Sequence, residues 1–331
     1  MPGTHVSGPL VVGGVYVPLT DTSALVRGQV PGGRAFWVGY GTNIQNGNGR
    51  SAARPYATLA EALTALGGKT NSGDVIYILP GHAETISAAD YYSATGAASG
   101  FSIIGLDTGT MRPSFTWSAA GATWLIDTAN VEIANCRFFM AGATGSTTAL
   151  TVAAAMTVSA AGFRAVNNYF QIGVDGDQII TVGILTTAAA DDLFFVGNFV
   201  EGATAAEITA AGTFLRLIGC DRAVVKGNYM AGALATDTDG LVETLTTLCN
   251  NLIFEDNTIY ARGAGNTCAV DFGADLVNTG SIQRNTLVVD ADGTAGTVVL
   301  TQHANSNFFL QDNFLINNNG ERGLAIGTAS V

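Results

Sequence analysis

LFFVGNFV (193–200), AVVKGNYM (223–230), LIFEDNTI (252–259) and FFLQDNFL (308–315) are one pattern repeated along the chain, an apolar frame closing on a single asparagine. Aligned on that residue, Cys136, Asn168, Asn198, Asn228, Asn257, Asn285 and Asn313 form a column with spacings of 32, 30, 30, 29, 28 and 28. Three residues earlier stand Ile133, Ala165, Phe195, Val225, Phe254, Ile282 and Leu310. Two residues later stand Phe138, Phe170, Val200, Met230, Ile259, Leu287 and Leu315. Every member of both flanking columns is apolar. A period in the high twenties built from short β-like runs predicts a solenoid in which each repeat is one coil stacked on the last.

The phase inside the repeat predicts the shape of the coil. Positions minus five and minus three alternate as a strand does, and zero and plus two share a parity, but the step from minus three to zero is odd. A bend of about two residues therefore separates two strands and turns the asparagine inward. A third strand follows 13 to 14 residues later, at 149–152, 179–182, 241–242, 269–272, 297–300 and 324–326, and is displaced to 214–218 after Asn198. Three strands per coil with an inward asparagine at one corner describe an all-β, right-handed, single-stranded parallel β-helix. Asn168, Asn198, Asn228, Asn257, Asn285 and Asn313 are then a structural ladder, because stacked amides satisfy one another where water is scarce.

These asparagine coils resemble the ladder of the pectate-lyase-like β-helix superfamily. NGNGRSAARPYATLAEALTAL (46–66) followed by GDVIYILPGHAETI (73–86) looks like the helix cap and first coil of phage-encoded members. The resemblance spans roughly residues 41–320. It implies the fold, and it implies a homotrimer about the long axis. It does not fix an activity, since the superfamily holds lyases, hydrolases, tailspikes and inert virion proteins.

Composition restricts the setting. The chain has 331 residues, 42 glycines, only 12% charged residues and a formal net charge of −12, with lysine at Lys69 and Lys226 alone. So little positive charge leaves little to neutralise phosphates, which argues against nucleic-acid binding. No apolar run approaches the ~20 residues that span a bilayer, and the first 20 residues lack the basic start of a secretory signal, so the expectation is a product made in the host cytoplasm with no membrane partner.

Plus one faces outward by parity and reads Arg137, Tyr169, Phe199, Tyr229, Thr258, Thr286 and Phe314. Tyr169, Phe199 and Tyr229 make an exposed aromatic stripe, expected first as a subunit interface, then as a sugar-stacking surface, then as a face covered by the chain's own loops. Neighbouring coils also bring Lys226 to Glu255 and Glu132 to Arg164, and give Asp256, Arg284 and Asp312 alternating sign, pairs that set register more than stability. Cys220 and Cys249 stack eight residues before their asparagines and are expected as buried thiols. No Cys/His cluster suggests a metal, and no cofactor is expected.

A catalytic set is hard to assemble. Asp175 with Asp177, Asp191 with Asp192, Asp237 with Asp239, and Asp290 with Asp292 fall at different offsets from the ladder, mostly beside glycine, as turn residues do. His5, His82 and His303 are dispersed and read as surface or turn residues, with no nucleophile context near them.

Residues 1–40 read as an extended arm whose partner is another chain, with Thr4, His5, Val6, Pro9, Leu10, Val11, Val12, Val15, Tyr16 and Val17 as candidate capsid-binding residues. Residues 41–74 read as a loop plus a capping helix, with a Thr58/Glu61 capping box and a Leu59, Leu63, Leu66 stripe. The β-helix follows over 75–320 and a tail over 321–331. The expected function is a phage virion structural protein, a capsid decoration or cement subunit on the capsid surface whose partners are the major capsid protein and itself. The alternative is a tailspike-type protein that binds or cleaves a surface polysaccharide.

Overall fold

The architecture follows from a computed structural model, which describes residues 10–12, 15–17, 33–39, 47–70, 72–89, 92, 99–140, 150–173, 178–202, 212–233, 240–262, 268–273, 277–290, 300–303, 305–317 and 326–329. Three parallel sheets wind into one β-helix. Sheet A holds the strands that precede the ladder residue, ten of them from Ala35–Val38 to Asn307–Gln311. Sheet B holds the nine that follow it, from Ala83–Ile86 to Phe314–Asn317. Sheet C holds eight, from Trp124–Ile126 to Ile326–Ala329. Each strand pairs with its counterpart one coil away, and such parallel crossovers run right-handed.

The ladder forms as the spacing predicts. Each asparagine Oδ1 accepts the backbone N–H of the ladder residue one coil earlier, at 2.8–3.1 Å from Cys136 through Asn285. Each Nδ2 donates to the carbonyl at minus three of that earlier coil, at 2.7–3.0 Å. From Asn198 onward the amides also bond one another directly. Cys136 has no amide to offer, and its Sγ lies 3.5 Å from the Ala134 carbonyl instead.

The bend before the ladder is made by one residue in the left-handed region. Position minus one reads Asn135, Asn167, Gly197, Gly227, Asp256, Arg284 and Asp312, all with φ between 52° and 66°. A second left-handed corner stands at minus six, in Asn130, Gly162, Asp192, Arg222 and Asn251. Asn, Asp and Gly tolerate this conformation best, which explains why they fill most of both columns.

Apolar columns stack into the core. Phe115, Phe138 and Phe170 are fully buried and lie ring over ring, at centroid spacings of 5.6 and 5.0 Å. One helix, α1 (Leu59–Leu66), buries Leu59, Ala62, Leu63 and Leu66 against the first coils. Thr58 caps it by accepting the Glu61 N–H, and Glu61 reaches back to the Ala57 N–H.

Several boundaries differ from the sequence reading. Ala35–Val38 is already the first strand of sheet A, paired with Val75–Ile78, so the arm ends before Gly33. AFWV buries three residues in that strand, and one short apolar run carries no periodicity to reveal it. At the other end Ile326–Ala329 pairs with Leu300–His303, which places a coil inside the expected tail. Sheet C strands are longer than expected at Leu150–Val158 and Gln178–Thr186.

Candidate interaction face

Sheet B carries plus one outward, and Phe139, Glu201 and Tyr260 at plus three join that face, whereas Gln171, Ala231 and Val288 at plus three are buried. Tyr169, Phe199 and Tyr229 are brought together as expected. The Tyr169 and Phe199 rings lie 5.7 Å apart with 8° between planes, and Phe199 and Tyr229 lie 4.8 Å apart with 15°. Strand register forces this, since Tyr169 pairs with Phe199 and Phe199 with Tyr229. Phe199 is 42% exposed, which is high for so large an apolar ring.

Polar groups frame the rings. The Arg137 guanidinium lies 5.3 Å from the Tyr169 ring centroid and 4.8 Å from that of Phe139. The Tyr169 hydroxyl donates to Glu201 at 2.6 Å, and burial together with that carboxylate pushes the phenol well above its usual range. Arg262 stands over Tyr260 at 5.8 Å. Phe139, Glu201 and Tyr260 at plus three were missed by sequence reasoning, because parity alone does not separate them from Gln171, Ala231 and Val288, which are buried at the same position.

Ring orientation limits what the face can do. Sugars stack on ring faces, yet Tyr169 has Arg137 on one side and Phe199 on the other, and Phe199 lies between two tyrosines. Ring edges are what the ladder presents. An apolar ridge with charges beside it suits a protein surface better than a pyranose platform.

The other candidates disperse. Of the acidic pairs, Asp191 and Asp192 are engaged by Arg222 at 3.4 and 2.6 Å, which holds the Asp192 carboxyl below its usual range. Asp175, Asp177, Asp237, Asp239 and Asp292 lie outside the described residues, as does the side chain of Asp290. Lys226 meets Glu255 at 3.2 Å and Arg164 meets Glu132 at 3.1 Å, as spacing predicts. Arg284 pairs back to Asp256 at 2.7 Å.

All four cysteines are buried thiols, none in a disulfide. Cys220 and Cys249 stack as expected and begin a second polar ladder. The Cys220 N–H points at Cys249 Sγ, the Cys249 N–H donates to Asn278 Oδ1, and the Asn278 N–H donates to Ser306 Oγ. Burial pushes the Cys249 thiol up to about 11 and the Cys136 thiol to about 12.

His82 corrects a sequence reading. Instead of lying at the surface, it is fully buried, edge-on to Phe115 at 6.3 Å, with both ring nitrogens unpartnered and Nε2 3.6 Å from Glu84. The Glu84 side chain is largely buried beside it. It accepts the Leu59 N–H at the start of α1 at 2.7 Å and the Tyr92 hydroxyl, so this carboxylate ties the helix to the coils. No local pattern announces it, because the contact joins residues 25 apart.

Of the arm residues, Thr4, His5, Val6 and Pro9 lie outside the described residues. Leu10–Val12 and Val15–Val17 form a two-stranded antiparallel sheet with Leu10 opposite Val17 and Val12 opposite Val15. Among the described residues no group of His, Cys, Asp and Glu could hold a metal, and no helix is long and apolar enough to cross a membrane. No protein-family model, curated protein or solved structure matches the chain.

Proposed function

We propose that this chain is a phage virion structural protein, a decoration subunit that sits on the head shell, attaches through its N-terminal arm and self-associates through the outer face of sheet B. The observation that supports the reading is the ring ladder, whose faces are spent on each other and whose edges form an apolar ridge on the outer surface. The hairpin of Leu10–Val12 and Val15–Val17 gives the arm strand edges, and an added strand on a shell protein is a common way to convert backbone into affinity. Several copies joined through sheet B would multiply weak arm contacts.

The test uses head shells of the cognate phage stripped of the protein. Full-length chain should co-sediment with shells, and a chain lacking residues 1–32 should remain a folded oligomer that stays in the supernatant. Retained binding by the truncated chain overturns the arm assignment.

Polysaccharide binding or cleavage is the second reading. It is favoured by the Tyr169 hydroxyl, Glu201 and Arg137, which offer hydrogen bonds beside aromatic carbon. Incubation with host capsular polysaccharide or lipopolysaccharide, followed by chain-length analysis, separates the two, since shortening of the glycan would replace the structural reading with this one.

A further inference from the structure

The sheet B face carries two charges that the chain leaves unmatched, and their positions make it complementary to itself. Among the described residues Arg34, Arg164, Arg216, Arg222, Lys226 and Arg284 all have carboxylate partners. Among the same described residues Arg137 packs on rings alone, and Glu201 receives only the Tyr169 hydroxyl. Arg112 donates to the Asn167 carbonyl at 3.2 Å, and burial, with the nearby Arg137 guanidinium, holds its pKa below the usual arginine range, so a second guanidinium stands near Arg137.

Register gives the separation. Phe139 pairs with Gln171 and Gln171 with Glu201, so Arg137 and Glu201 stand two coils apart with Tyr169 and Gln171 on the coil between. At about 4.8 Å per coil the charges are about 10 Å apart along the axis. A two-fold axis along the strands of the middle coil lays the coil of Arg137 in one copy over the coil of Glu201 in the other, twice, and leaves the two charges two residues apart along the strand, about 7 Å, a gap that these two long side chains bridge.

Relief along the face follows the same symmetry. Beyond Glu201 the face carries one large ring per coil, Tyr229 beside Ala231 and then Tyr260 beside Thr258. Beyond Arg137 it is low, with Ser114 and Thr116 on one coil and Ala83 and Thr85 on the next. The two-fold sets Tyr229 over Ser114 of the other copy and Tyr260 over Thr85. A parallel arrangement with this face centred on a three-fold axis sets each coil at the height of its equivalents, so Arg137 converges with Arg137 and large rings with large rings.

We infer that the occupant of this face is a second copy of the chain in antiparallel orientation, an isologous dimer keyed by reciprocal Arg137–Glu201 ion pairs across a two-fold axis near Tyr169. The inference rests on self-association through sheet B and replaces the three-fold arrangement implied by resemblance with a two-fold one.

The test is a charge swap on the full-length chain, read by sedimentation velocity. Wild type should be a dimer. Arg137→Glu alone and Glu201→Arg alone each create two like-charged pairs and should weaken the dimer at least about a hundredfold. An equimolar mixture of the two variants restores both pairs and should give a heterodimer within about tenfold of wild type, which also shows that each variant is folded. Dimeric variants, or a mixture that stays monomeric, overturn the inference. A wild-type trimer overturns it while leaving self-association standing, and a wild-type monomer removes both.

Discussion

Replacing Asn228 with alanine takes one rung from the middle of the ladder. Its Oδ1 accepts the Asn198 N–H at 2.8 Å and the Asn198 amide at 3.2 Å, and its Nδ2 donates to the Phe195 carbonyl at 3.0 Å and to Asn257 Oδ1 at 2.9 Å. Some of these groups keep other partners. Asn198 Nδ2 still reaches the Ala165 carbonyl, and Asn257 Oδ1 still accepts the Asn228 N–H. The Asn198 N–H and the Phe195 carbonyl lose the side chain that served them, each at about 1–3 kcal/mol where water cannot enter. The expected loss is therefore about 2–6 kcal/mol. Asn313 supplies the internal control, because it makes the same three bonds to the coil before it in a partly buried position that water can reach. Asn313→Ala should cost only about 1 kcal/mol. Guanidinium unfolding followed by far-ultraviolet circular dichroism measures both. A loss below about 1 kcal/mol at position 228, or equal losses at both positions, would refute the claim that the ladder is held by mutual satisfaction of buried amides.

Other consequences are sharper in comparison than in isolation. Cys136 and Cys249 have thiols raised by burial from 9.0 to about 12 and about 11, so the unfolded chain ionises first. The stability they contribute is full below pH 9 and is lost as pH rises towards 11 and 12. Cys249→Ala should flatten that alkaline loss in unfolding curves, and a thiol reagent should label neither residue in the folded protein. Gly197→Ala should cost more than Gly227→Ala, though both have positive φ, because an added Cβ at 197 meets Asn167 Oδ1 at 2.5 Å whereas at 227 nothing lies within 4 Å; thermal midpoints in the reverse order would contradict the geometry. Glu84→Ala should expose the α1 amides to hydrogen exchange while the central coils stay protected, and Glu84→Gln, which keeps an acceptor for the Leu59 N–H, should lose less.

The asparagine column made the coil legible because one residue type had one job on successive turns. The corners were legible too, in Asn167, Gly197, Gly227 and Asp256, but only once it was known that minus one is left-handed. Arg284 hides the signal, since it takes the same φ of 52° against its own preference and holds Asp256 and Glu255 from there. The second ladder was harder still. Cys220, Cys249, Asn278 and Ser306 share a role, an acceptor aimed at a neighbouring N–H, without sharing a residue type, and the offset slips by one between Cys249 and Asn278. Ala35–Val38 and Glu84 could not be read locally at all, because each acquires its partner only when the chain closes the first coils.

The interior ladder and the outer ring ladder are two faces of one constraint. Asn168 and Asn198 fix the height of one coil on the next through bonds of 2.9 Å, and Tyr169 and Phe199 stand one residue further along the same backbone. Rings spaced by that coil rise have nowhere to turn except parallel to each other, which is why their planes agree within 8°. The edge-on ridge is thus set from inside. A substitution at Asn198 that loosens the coil should disorder the rings above and below it and weaken association before the fold is lost, whereas Phe199→Ser should weaken association and leave unfolding nearly unchanged. Finding both variants equally associated would separate the face from the ladder and remove the structural reason for treating the ridge as a built surface.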